Sequence, residues 1–465
     1  MTETLNAALH HLEAHSADHR QALDRLVRVG GVSAKAPPDP TMRASAEAVV
    51  EEMKRVGLDG AEVLELPGVH PYAYAEWLHA EGAPTVLIYG HHDVQPEGRH
   101  ERWLSPPFEP TERDGRLYGR GTVDDKAGIV MHLAAIRAWL EGAGGLPVNV
   151  KVVVEGEEEV GSEHLEAFLA AYADRVAADA LVLTDTSNLD VGIPALTVSL
   201  RGLAGATIEV RSMAQPLHSG MWGGPVPDPV MGLAKALASL TDERGRVIPA
   251  LRAGVRELDA DERAELEALP FDEADFKRQA GMVEGAELCG EPELPVLARL
   301  WHEPSLTIIA LEARALDGSS NQIIEAARAR VSLRTVANQE PEAIRDALIE
   351  AVRTALPWGL DLKIEPEPVA GWWRTDPHGA AFEAARRALA AGYGCASVAI
   401  GCGGSIGFVE PFAKVLGGVP ALLTGVEDPA CLAHSENESL CLADFAKGMK
   451  ANVHLYAELA SALRD

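Results

Sequence analysis

The chain has 465 residues, of which 47% are hydrophobic, and its formal net charge is −29. This length predicts two domains, because a single hydrophobic core stops growing at about 250–300 residues. The acidic balance excludes a protein that binds a nucleic-acid backbone, which needs a basic surface.

The first part of the chain alternates helical patterns with short apolar runs. Helices are predicted over residues 5–30 and 40–57. Apolar runs follow: PTVLIYG before His91, PVNVKVVVEG before Glu157 and ADALVLT before Asp185, with a helix between the first two. This alternation predicts an α/β fold, with a mostly parallel sheet and helices on both faces. Functional side chains collect at the carboxyl ends of such strands.

A different pattern begins near residue 197. The predicted order is strand, helix, strand, strand, helix, strand, which resembles a βαββαβ (ferredoxin-like) α+β unit. Residues 243–300 are charged and loop-rich, and they are expected to be an insertion between the first helix and the next strand. The α/β pattern then resumes. We therefore expect residues 1–199 and 372–465 to form one domain, and residues 200–371 to form a second domain inserted into it.

The cysteines and the chain's N-terminal segment indicate a cytoplasmic protein. The chain has 5 cysteines, an odd number without a CxxC pair, so we expect reduced and mostly buried thiols. The N-terminal segment lacks the basic and apolar regions of a secretion signal, and no apolar run approaches membrane-spanning length. We expect no membrane or nucleic-acid partner.

Histidines and carboxylates follow the predicted strand ends. These residues are His91, His92, Asp93, Asp124, Asp125, Glu157, Glu158, Glu159, Asp185 and His434. So many carboxylates share a cleft only if cations neutralise them. Mixed imidazole and carboxylate ligands suit zinc, and also manganese or cobalt. Two divalent ions balance three carboxylate ligands and a bridging hydroxide, which leaves a further carboxylate free to act as the base in two-metal hydrolysis.

A set of sequence motifs resembles that of a known enzyme family. In chain order they are GHHDVQP, GRGTVDDKAG, EGEEEVGSE, LTDTS, LHSGMWGGPVPDP, GGSIG and AHSENE. Together they resemble the di-zinc exopeptidase family of carnosinases and cytosolic dipeptidases, carboxypeptidase G, aminoacylase and succinyl-diaminopimelate desuccinylase. The resemblance covers nearly the whole chain and is closest to the dipeptidase and carnosinase branch. It implies a zinc-exopeptidase-like fold. Residues 1–199 and 372–465 would be the catalytic metal-binding domain, and residues 200–371 the inserted lid or dimerisation domain.

The resemblance implies two divalent metal ions per chain, zinc or alternatively manganese or cobalt. His91 and Asp185 match the ligands of one ion, and Glu159 and His434 match those of the other. Asp124 matches the aspartate that bridges both ions, and the family has a cis peptide bond directly after it.

Neighbours of these ligands have other expected roles. By resemblance, Glu158 is the general base, and Asp93 hydrogen-bonds the ring of the metal-binding histidine. His92 is expected to be packed or solvent-facing, and Glu157 to be a solvated neighbour. Asp125 is the rival of the bridging aspartate, and we expect it to cap the helix that follows.

Further positions resemble substrate contacts of the family. His218 matches a histidine that stabilises the tetrahedral oxyanion and that comes from the other subunit in dimeric members. Arg334 matches the arginine that binds the substrate's free carboxylate, and Gly404 and Ser405 match a loop that also holds it. Asn321 matches a residue that reaches the site across the dimer. The alternatives are a loop histidine for His218 and a surface arginine for Arg334. A homodimer through the inserted domain is therefore expected.

Three functions remain in comparison. The first is a metal-dependent dipeptidase that cleaves short peptides with a free C-terminal carboxylate, and the second is an N-acyl amino acid hydrolase on the same scaffold. The third, a non-catalytic binding protein, is disfavoured because the base and all metal ligands are present. Two departures from close dipeptidases, Gly407 after GGSI and the segment IIE after Asn321, affect the expected carboxylate pocket and hence substrate preference.

Overall fold

The computed structural model describes residues 2–404 and 409–464. Within this part, the chain forms two compact units. The α/β unit comprises residues 2–198, 375–400 and 409–464, and the α+β unit comprises residues 199–374 and 401–404.

Strands and α-helices alternate along the described residues. The strands are β1 (Asp59–Leu64), β2 (Tyr72–Trp77), β3 (Thr85–His91), β4 (Thr111–Arg113), β5 (Arg116–Tyr118), β6 (Asn149–Glu155), β7 (Ala180–Leu183), β8 (Ala195–Leu200), β9 (Gly202–Arg211), β10 (Leu217–His218), β11 (Ser305–Glu312), β12 (Gln322–Ile323), β13 (Ala326–Thr335), β14 (Asp361–Pro366), β15 (Trp373–Arg374), β16 (Val398–Cys402), β17 (Ala421–Leu423) and β18 (Ser439–Cys441). The α-helices are α1 (Thr2–Ala14), α2 (Ser16–Val29), α3 (Pro40–Arg55), α4 (Lys126–Arg137), α5 (Leu165–Ala171), α6 (Ala173–Val176), α7 (Ser219–Trp222), α8 (Pro229–Ala238), α9 (Ala260–Glu267), α10 (Glu273–Gln279), α11 (Val296–Trp301), α12 (Pro341–Ala355), α13 (Ala380–Tyr393), α14 (Val409–Val415) and α15 (Leu442–Ala462).

The main sheet of the α/β unit has the order β1, β2, β6, β3, β7, β17, β8. The central strands β6, β3, β7 and β17 are parallel, with His91 opposite Glu155 and Leu183 opposite Leu423. The predicted α/β fold is confirmed. Strands β1 and β2, which the sequence analysis missed, extend the sheet in antiparallel pairing. The parallel centre brings several carboxyl ends of strands to one edge.

Both faces of this sheet are covered, as the side-chain alternation of β3 shows. Val86 and Ile88 are buried in the core that also contains residues of α1–α4, α13 and α15. Tyr89 points to the opposite face, where its ring meets Phe412 of α14 edge-on, with 5.0 Å between the ring centroids. The buried, apolar character of both faces explains why β3 is a continuous apolar run in the sequence.

The N-terminal helices form largely as their sequence predicts. The pattern predicted over residues 5–30 is divided at His15 into α1 and α2. Helix α3 begins at Pro40 as predicted, because the Asp39 carboxylate accepts hydrogen bonds from the backbone N–H groups of Thr41 (2.7 Å) and Met42 (3.3 Å).

The sheet of the α+β unit has the order β11, β13, β9, β14 and is antiparallel throughout. Its elements follow the predicted order β9, α8, β11, β13, α12, β14. Leu237 of α8 and Leu348 of α12 are buried with Ile208 and Val331 of the sheet, which form this unit's own core. Residues 243–300, between α8 and β11, contain the short helices α9, α10 and most of α11 within a loop-rich segment.

The prediction that the cysteines are mostly buried is wrong. Cys431 and Cys441 are buried, whereas Cys289 and Cys395 are exposed. Among the helices of the described residues, none combines the length and apolar character needed to cross a membrane.

Candidate metal centre

Imidazole and carboxylate groups gather where the central strands of the α/β unit end. His91 is the last residue of β3, Glu158 and Glu159 lie in a helical turn after β6, and Asp185 follows β7. Asp124 precedes α4. His434 comes from the loop before β18 and has a left-handed backbone (φ 61°), a conformation that is uncommon outside glycine. These groups belong to one unit, so its own topology brings them together.

The first group of candidate ligands surrounds His91. Its Nε2 atom lies 3.0 Å from Asp124 Oδ1 and 3.7 Å from Asp185 Oδ1. One ligand atom from each of His91, Glu158 and Asp185 also lies within 4.8 Å of the others. Ligands roughly 2.0–2.2 Å from a tetrahedral ion lie about 3.3–3.6 Å apart, so these separations suit a shared cation.

His91 itself indicates that a cation fits. Its side chain is fully buried, yet Nε2 makes no hydrogen bond of good geometry among the described residues. Its Nδ1 atom lies 3.1 Å from the backbone carbonyl of Asp93, which can only accept, so Nδ1 carries the ring proton in the neutral imidazole. The Nε2 lone pair then faces carboxylate oxygens, an arrangement that a metal ion between them makes favourable.

The second group is centred on His434. Its Nε2 atom lies 2.9 Å from Asp124 Oδ2 and 3.1 Å from Glu159 Oε2. Asp124 therefore presents one oxygen to His434 and the other to His91. A carboxylate with one oxygen near each of two histidines has the arrangement of a bridging ligand in a two-metal site.

A third group contains a residue that the sequence analysis missed. Ligand atoms of Asp124, Asp185 and Glu427 lie within 4.8 Å of one another. Glu427 follows the apolar strand β17, and a carboxylate shortly after an apolar run was the signal that could have identified it.

Asp125 occupies the N-cap position of α4, but its side chain makes no capping hydrogen bond, so the predicted capping role is wrong. Its Oδ2 instead accepts hydrogen bonds from Thr184 Oγ1 (2.8 Å) and from the backbone N–H of His91 (3.3 Å). Gly128 makes room for this side chain, because a Cβ atom there would lie 2.1 Å from Asp125 Oδ1. The cis peptide bond predicted between Asp124 and Asp125 is confirmed.

Asp93 connects His91 to the helical turn that carries Glu158 and Glu159. Besides its carbonyl contact with His91, its carboxylate Oδ1 lies 3.4 Å from His91 Nδ1. The same carboxylate accepts hydrogen bonds from the backbone N–H groups of Glu158 (3.3 Å) and Glu159 (3.0 Å). One buried aspartate thus orients the imidazole and holds the turn that carries two acidic side chains.

Two neighbouring residues have structural roles. His92 is buried and its Nε2 donates to the carbonyl of Pro71 (2.8 Å), which confirms the prediction that it is packed. Burial lowers the pKa of His92 to about 4. Glu157 is buried and accepts hydrogen bonds from the backbone N–H (3.0 Å) and ring Nδ1 (2.9 Å) of His164. The prediction that Glu157 is a solvated neighbour is therefore wrong.

The electrostatics of the cluster favour a cation. Burial, and then the charge of Asp185, raises the pKa of Glu158 well above its usual value. Contacts with Asp124 and Glu159 raise the pKa of His434 to about 11. Burial alone would lower the pKa of His91, but the negative charges around it raise the pKa well above its ordinary value. Because negative charges outnumber positive ones in the cluster, its groups bind protons more tightly than usual. A metal ion at these positions would neutralise the negative charge more strongly than the protons do.

The α+β unit contains His218 and Asn321, which are both exposed. His218 ends β10 and pairs with Gln322 of β12, and its Nδ1 accepts a hydrogen bond from the backbone N–H of Gly220 (3.1 Å). The carbonyl of Asn321 accepts one from Ser219 (2.9 Å). The structure therefore brings these two predicted residues to adjacent segments of one unit.

Arg334 and Gly404 also belong to the α+β unit. Arg201, which the sequence analysis missed, donates from its backbone N–H to the Gly404 carbonyl (3.1 Å) and from Nε to the Gly403 carbonyl (2.8 Å). Burial, together with the charge of Arg334, lowers the pKa of Arg201 to about 10. The glycine loop thus lies beside the Arg201 guanidinium, whose charge interacts with that of Arg334. Ser405, the remaining predicted contact, lies outside the described residues, as does Gly407.

The fold and the site define the protein as a candidate dinuclear metallohydrolase with an α/β metal-binding unit. Residues 87–458 match the model of peptidase family M20/M25/M40, and the chain belongs to this family. It is 34% identical over 360 residues, 77% of each chain, to a cysteinylglycine-S-conjugate dipeptidase of Corynebacterium striatum. It is 31% identical to a Cys-Gly metallodipeptidase of Schizosaccharomyces pombe, over 94% of this chain and 95% of the relative. The structure of human carnosine dipeptidase 1 superimposes with a TM-score of 0.84 at 25% identity, covering 98% of this chain and 99% of that one. The resemblance to the dipeptidase and carnosinase branch is confirmed.

Proposed function

We propose that the protein is a metal-dependent dipeptidase that hydrolyses the peptide bond of short peptides with a free C-terminal carboxylate. The observation that carries the proposal is the position of Asp124, whose two oxygens lie 3.0 Å from His91 Nε2 and 2.9 Å from His434 Nε2. The substrate class is supported by the similarity to a cysteinylglycine-S-conjugate dipeptidase and a Cys-Gly metallodipeptidase.

Two divalent ions would be held by the chain, and we propose zinc, with manganese or cobalt as alternatives. His91 and Asp185 would bind one ion, Glu159 and His434 the other, and Asp124 both. When bound, such ions polarise the scissile carbonyl and lower the pKa of a water molecule toward ~7.

Glu158 is the proposed general base, which takes a proton from water and delivers it to the leaving amine. Its carboxylate makes no hydrogen bond with another described residue, whereas that of Glu159 accepts from the backbone N–H (2.9 Å) and Nε2 (2.8 Å) of Gln95. A raised pKa suits a group that must both accept and release a proton near neutral pH. Asp93 serves as the residue that holds the Glu158 backbone and the His91 ring.

Residues 200–371 are proposed to form the inserted lid and dimerisation domain. His218 of the partner subunit would stabilise the oxyanion, and Asn321 would likewise act across the dimer. Arg334, Gly404 and Ser405 would bind the substrate carboxylate, a task for which a guanidinium group is well suited. The odd number of cysteines, without a CxxC pair, supports a cytoplasmic location.

The test measures bound metal and dipeptide hydrolysis together in the wild-type protein, in Glu158→Ala and in the control Glu163→Ala. Glu163 is an exposed residue of the same segment. We expect two ions per chain in all three proteins and a loss of activity of about 10²–10⁴-fold in Glu158→Ala alone. Full activity in Glu158→Ala would remove Glu158 from the role of base.

A substrate panel distinguishes a dipeptidase from an N-acyl amino acid hydrolase. Dipeptides are compared with N-acetyl and N-succinyl amino acids at equal concentration. Faster cleavage of the dipeptides supports the proposal, and cleavage of the acyl amino acids alone would favour an N-acyl amino acid hydrolase. Negligible turnover of every substrate by the metal-loaded protein would instead indicate a binding protein.

A further inference from the structure

Glu427 is held beside the metal centre by backbone pairing. The N–H of Thr424 donates to the Leu183 carbonyl (2.9 Å), and the N–H of Asn188 donates to the Glu427 carbonyl (2.9 Å). Glu427 also forms a parallel bridge with Ser187. The parallel pairing of β17 with β7 therefore continues past the strand ends, so Glu427 follows one strand as Asp185 follows its neighbour.

The approach of these two segments is unusually close at Gly425. A Cβ atom at this position would lie 1.6 Å from the backbone carbonyl oxygen of Thr186. Only glycine permits the two backbone segments to pass at this distance. The position of Glu427 is thus fixed by steric contact as well as by hydrogen bonds.

Glu427 differs from the acidic residues around it in its partners. Asp428 forms an ion pair with Arg116 (2.8 Å), and Glu438 forms one with Arg120 (2.7 Å). In the part of the chain that the structure describes, no lysine or arginine forms an ion pair with Glu427. Its ionisable neighbours include Asp124 and Asp185, and one carboxylate oxygen of each lies within 4.8 Å of a carboxylate oxygen of Glu427. A carboxylate placed among carboxylates without a lysine or arginine partner stays ionised only if a cation neutralises it.

We propose that Glu427 is an additional ligand of the ion held by His91 and Asp185, and that it shifts the preference of that ion toward manganese. This inference rests on the proposed two-metal function. With Glu427, the ion has one imidazole nitrogen and oxygens of three carboxylates, whereas the ion at His434 has one nitrogen and oxygens of two. Oxygen-rich sets favour harder ions such as Mn²⁺, while Zn²⁺ is well served by fewer ligands that include nitrogen. The two ions of the centre therefore differ in chemical preference.

The experiment compares the wild-type chain with Glu427→Gln, which keeps the shape of the side chain but removes its charge. The full-length proteins are stripped of metal with a chelator. Dissociation constants for Mn²⁺ and Zn²⁺ are then measured by competition with a chelating dye, and bound Mn²⁺ is counted by electron paramagnetic resonance. In Glu427→Gln we expect one of two Mn²⁺ sites to weaken by roughly tenfold or more, with a smaller change for Zn²⁺.

The controls separate this inference from the proposed function and from misfolding. Glu458→Gln neutralises a carboxylate whose partner is Arg387 on the surface, and we expect wild-type affinities for both metals. Glu427→Asp keeps the charge on a shorter side chain, and an intermediate Mn²⁺ affinity is expected. Wild-type Mn²⁺ affinity in Glu427→Gln, or an equal loss for both metals, would overturn the inference. Failure of the wild-type chain itself to bind two ions would overturn the proposed function as well.

Discussion

Asp124 Oδ1 lies 3.0 Å from His91 Nε2. The other oxygen of the same carboxylate lies 2.9 Å from the second histidine, His434. Of the proposed ligands, only Asp124 is assigned to both ions. Its substitution should therefore affect both metal sites, whereas substitution of another ligand should affect one.

Asp124→Asn is expected to weaken both metal sites, because an amide oxygen carries no charge and its nitrogen cannot bind a cation. Each dissociation constant for Zn²⁺ should rise by about tenfold or more. Isothermal titration calorimetry on the chelator-treated protein measures this. Glu159→Gln serves as the comparison and should weaken one site only. Loss of a single site in Asp124→Asn would contradict a bridging role.

The buried ion pair of Arg120 and Glu438 is expected to support the loop that carries Asp124. The Glu438 carboxylate accepts hydrogen bonds from Arg120 Nη1 (2.7 Å) and from the backbone N–H groups of Gly121 (3.0 Å) and Val123 (3.1 Å). Glu438→Gln leaves the guanidinium buried without its counter-charge. The free energy of unfolding should fall by about 3–5 kcal/mol, as measured by urea unfolding.

The matched control for this prediction is an exposed pair. Glu436 pairs with Arg99 at 2.7 Å, and the arginine side chain is largely exposed. Because solvent screens such pairs, Glu436→Gln should leave the free energy of unfolding nearly unchanged. An equal effect of the two substitutions would argue against a special role of the buried pair.

Gly425→Ala is expected to separate the segment after β17 from the segment after β7. The added methyl group would lie 1.6 Å from the Thr186 carbonyl oxygen, so the backbone must move. A loss of about 1–3 kcal/mol in the free energy of unfolding is expected from such overpacking. Gly145→Ala is the control, since its nearest neighbour would be at 3.7 Å and it has no positive φ. An unchanged stability of Gly425→Ala would show that the two segments can move apart freely.

His132 should make the fold sensitive to acid. Its Nδ1 lies 2.8 Å from the Tyr456 hydroxyl between α4 and α15, and burial lowers its pKa to about 3. The unfolded chain binds a proton on this residue below its ordinary pKa of about 6.5, whereas the folded chain does not. Stability contributed by the neutral ring is therefore complete above that pH and is lost as the pH falls toward 3, by about 1.4 kcal/mol per pH unit.

The substitution His132→Gln tests this pH dependence, because glutamine keeps a hydrogen-bonding group for Tyr456 but does not titrate. Urea unfolding of both metal-free proteins is followed between pH 4 and 7. The difference in the free energy of unfolding, wild type minus variant, should fall by about 1.4 kcal/mol for each unit of decreasing pH below about pH 6. Parallel pH profiles for the two proteins would contradict the assignment.

The sequence by itself determined the main elements of the α+β unit and the central strands of the α/β unit, with the strand ends that carry the metal-ligand candidates. Apolar runs before His91, Glu157 and Asp185 mark buried parallel strands, because both faces of such strands are covered and their alternation is lost. The βαββαβ order of the second unit likewise follows from the spacing of apolar residues along each element.

Only the tertiary structure decided which neighbouring acidic residues face the cluster and which serve the fold. Asp125 turns toward Thr184 instead of capping α4, and Glu157 is buried against His164. Glu427 reaches Asp185 only because β17 pairs with β7, although more than two hundred residues separate them in the chain. Periodicity along a chain reports which face of an element is buried, but it does not state which strands become neighbours. Distances between side chains from different strands therefore arise from pairing order and close packing, which the folded chain alone establishes.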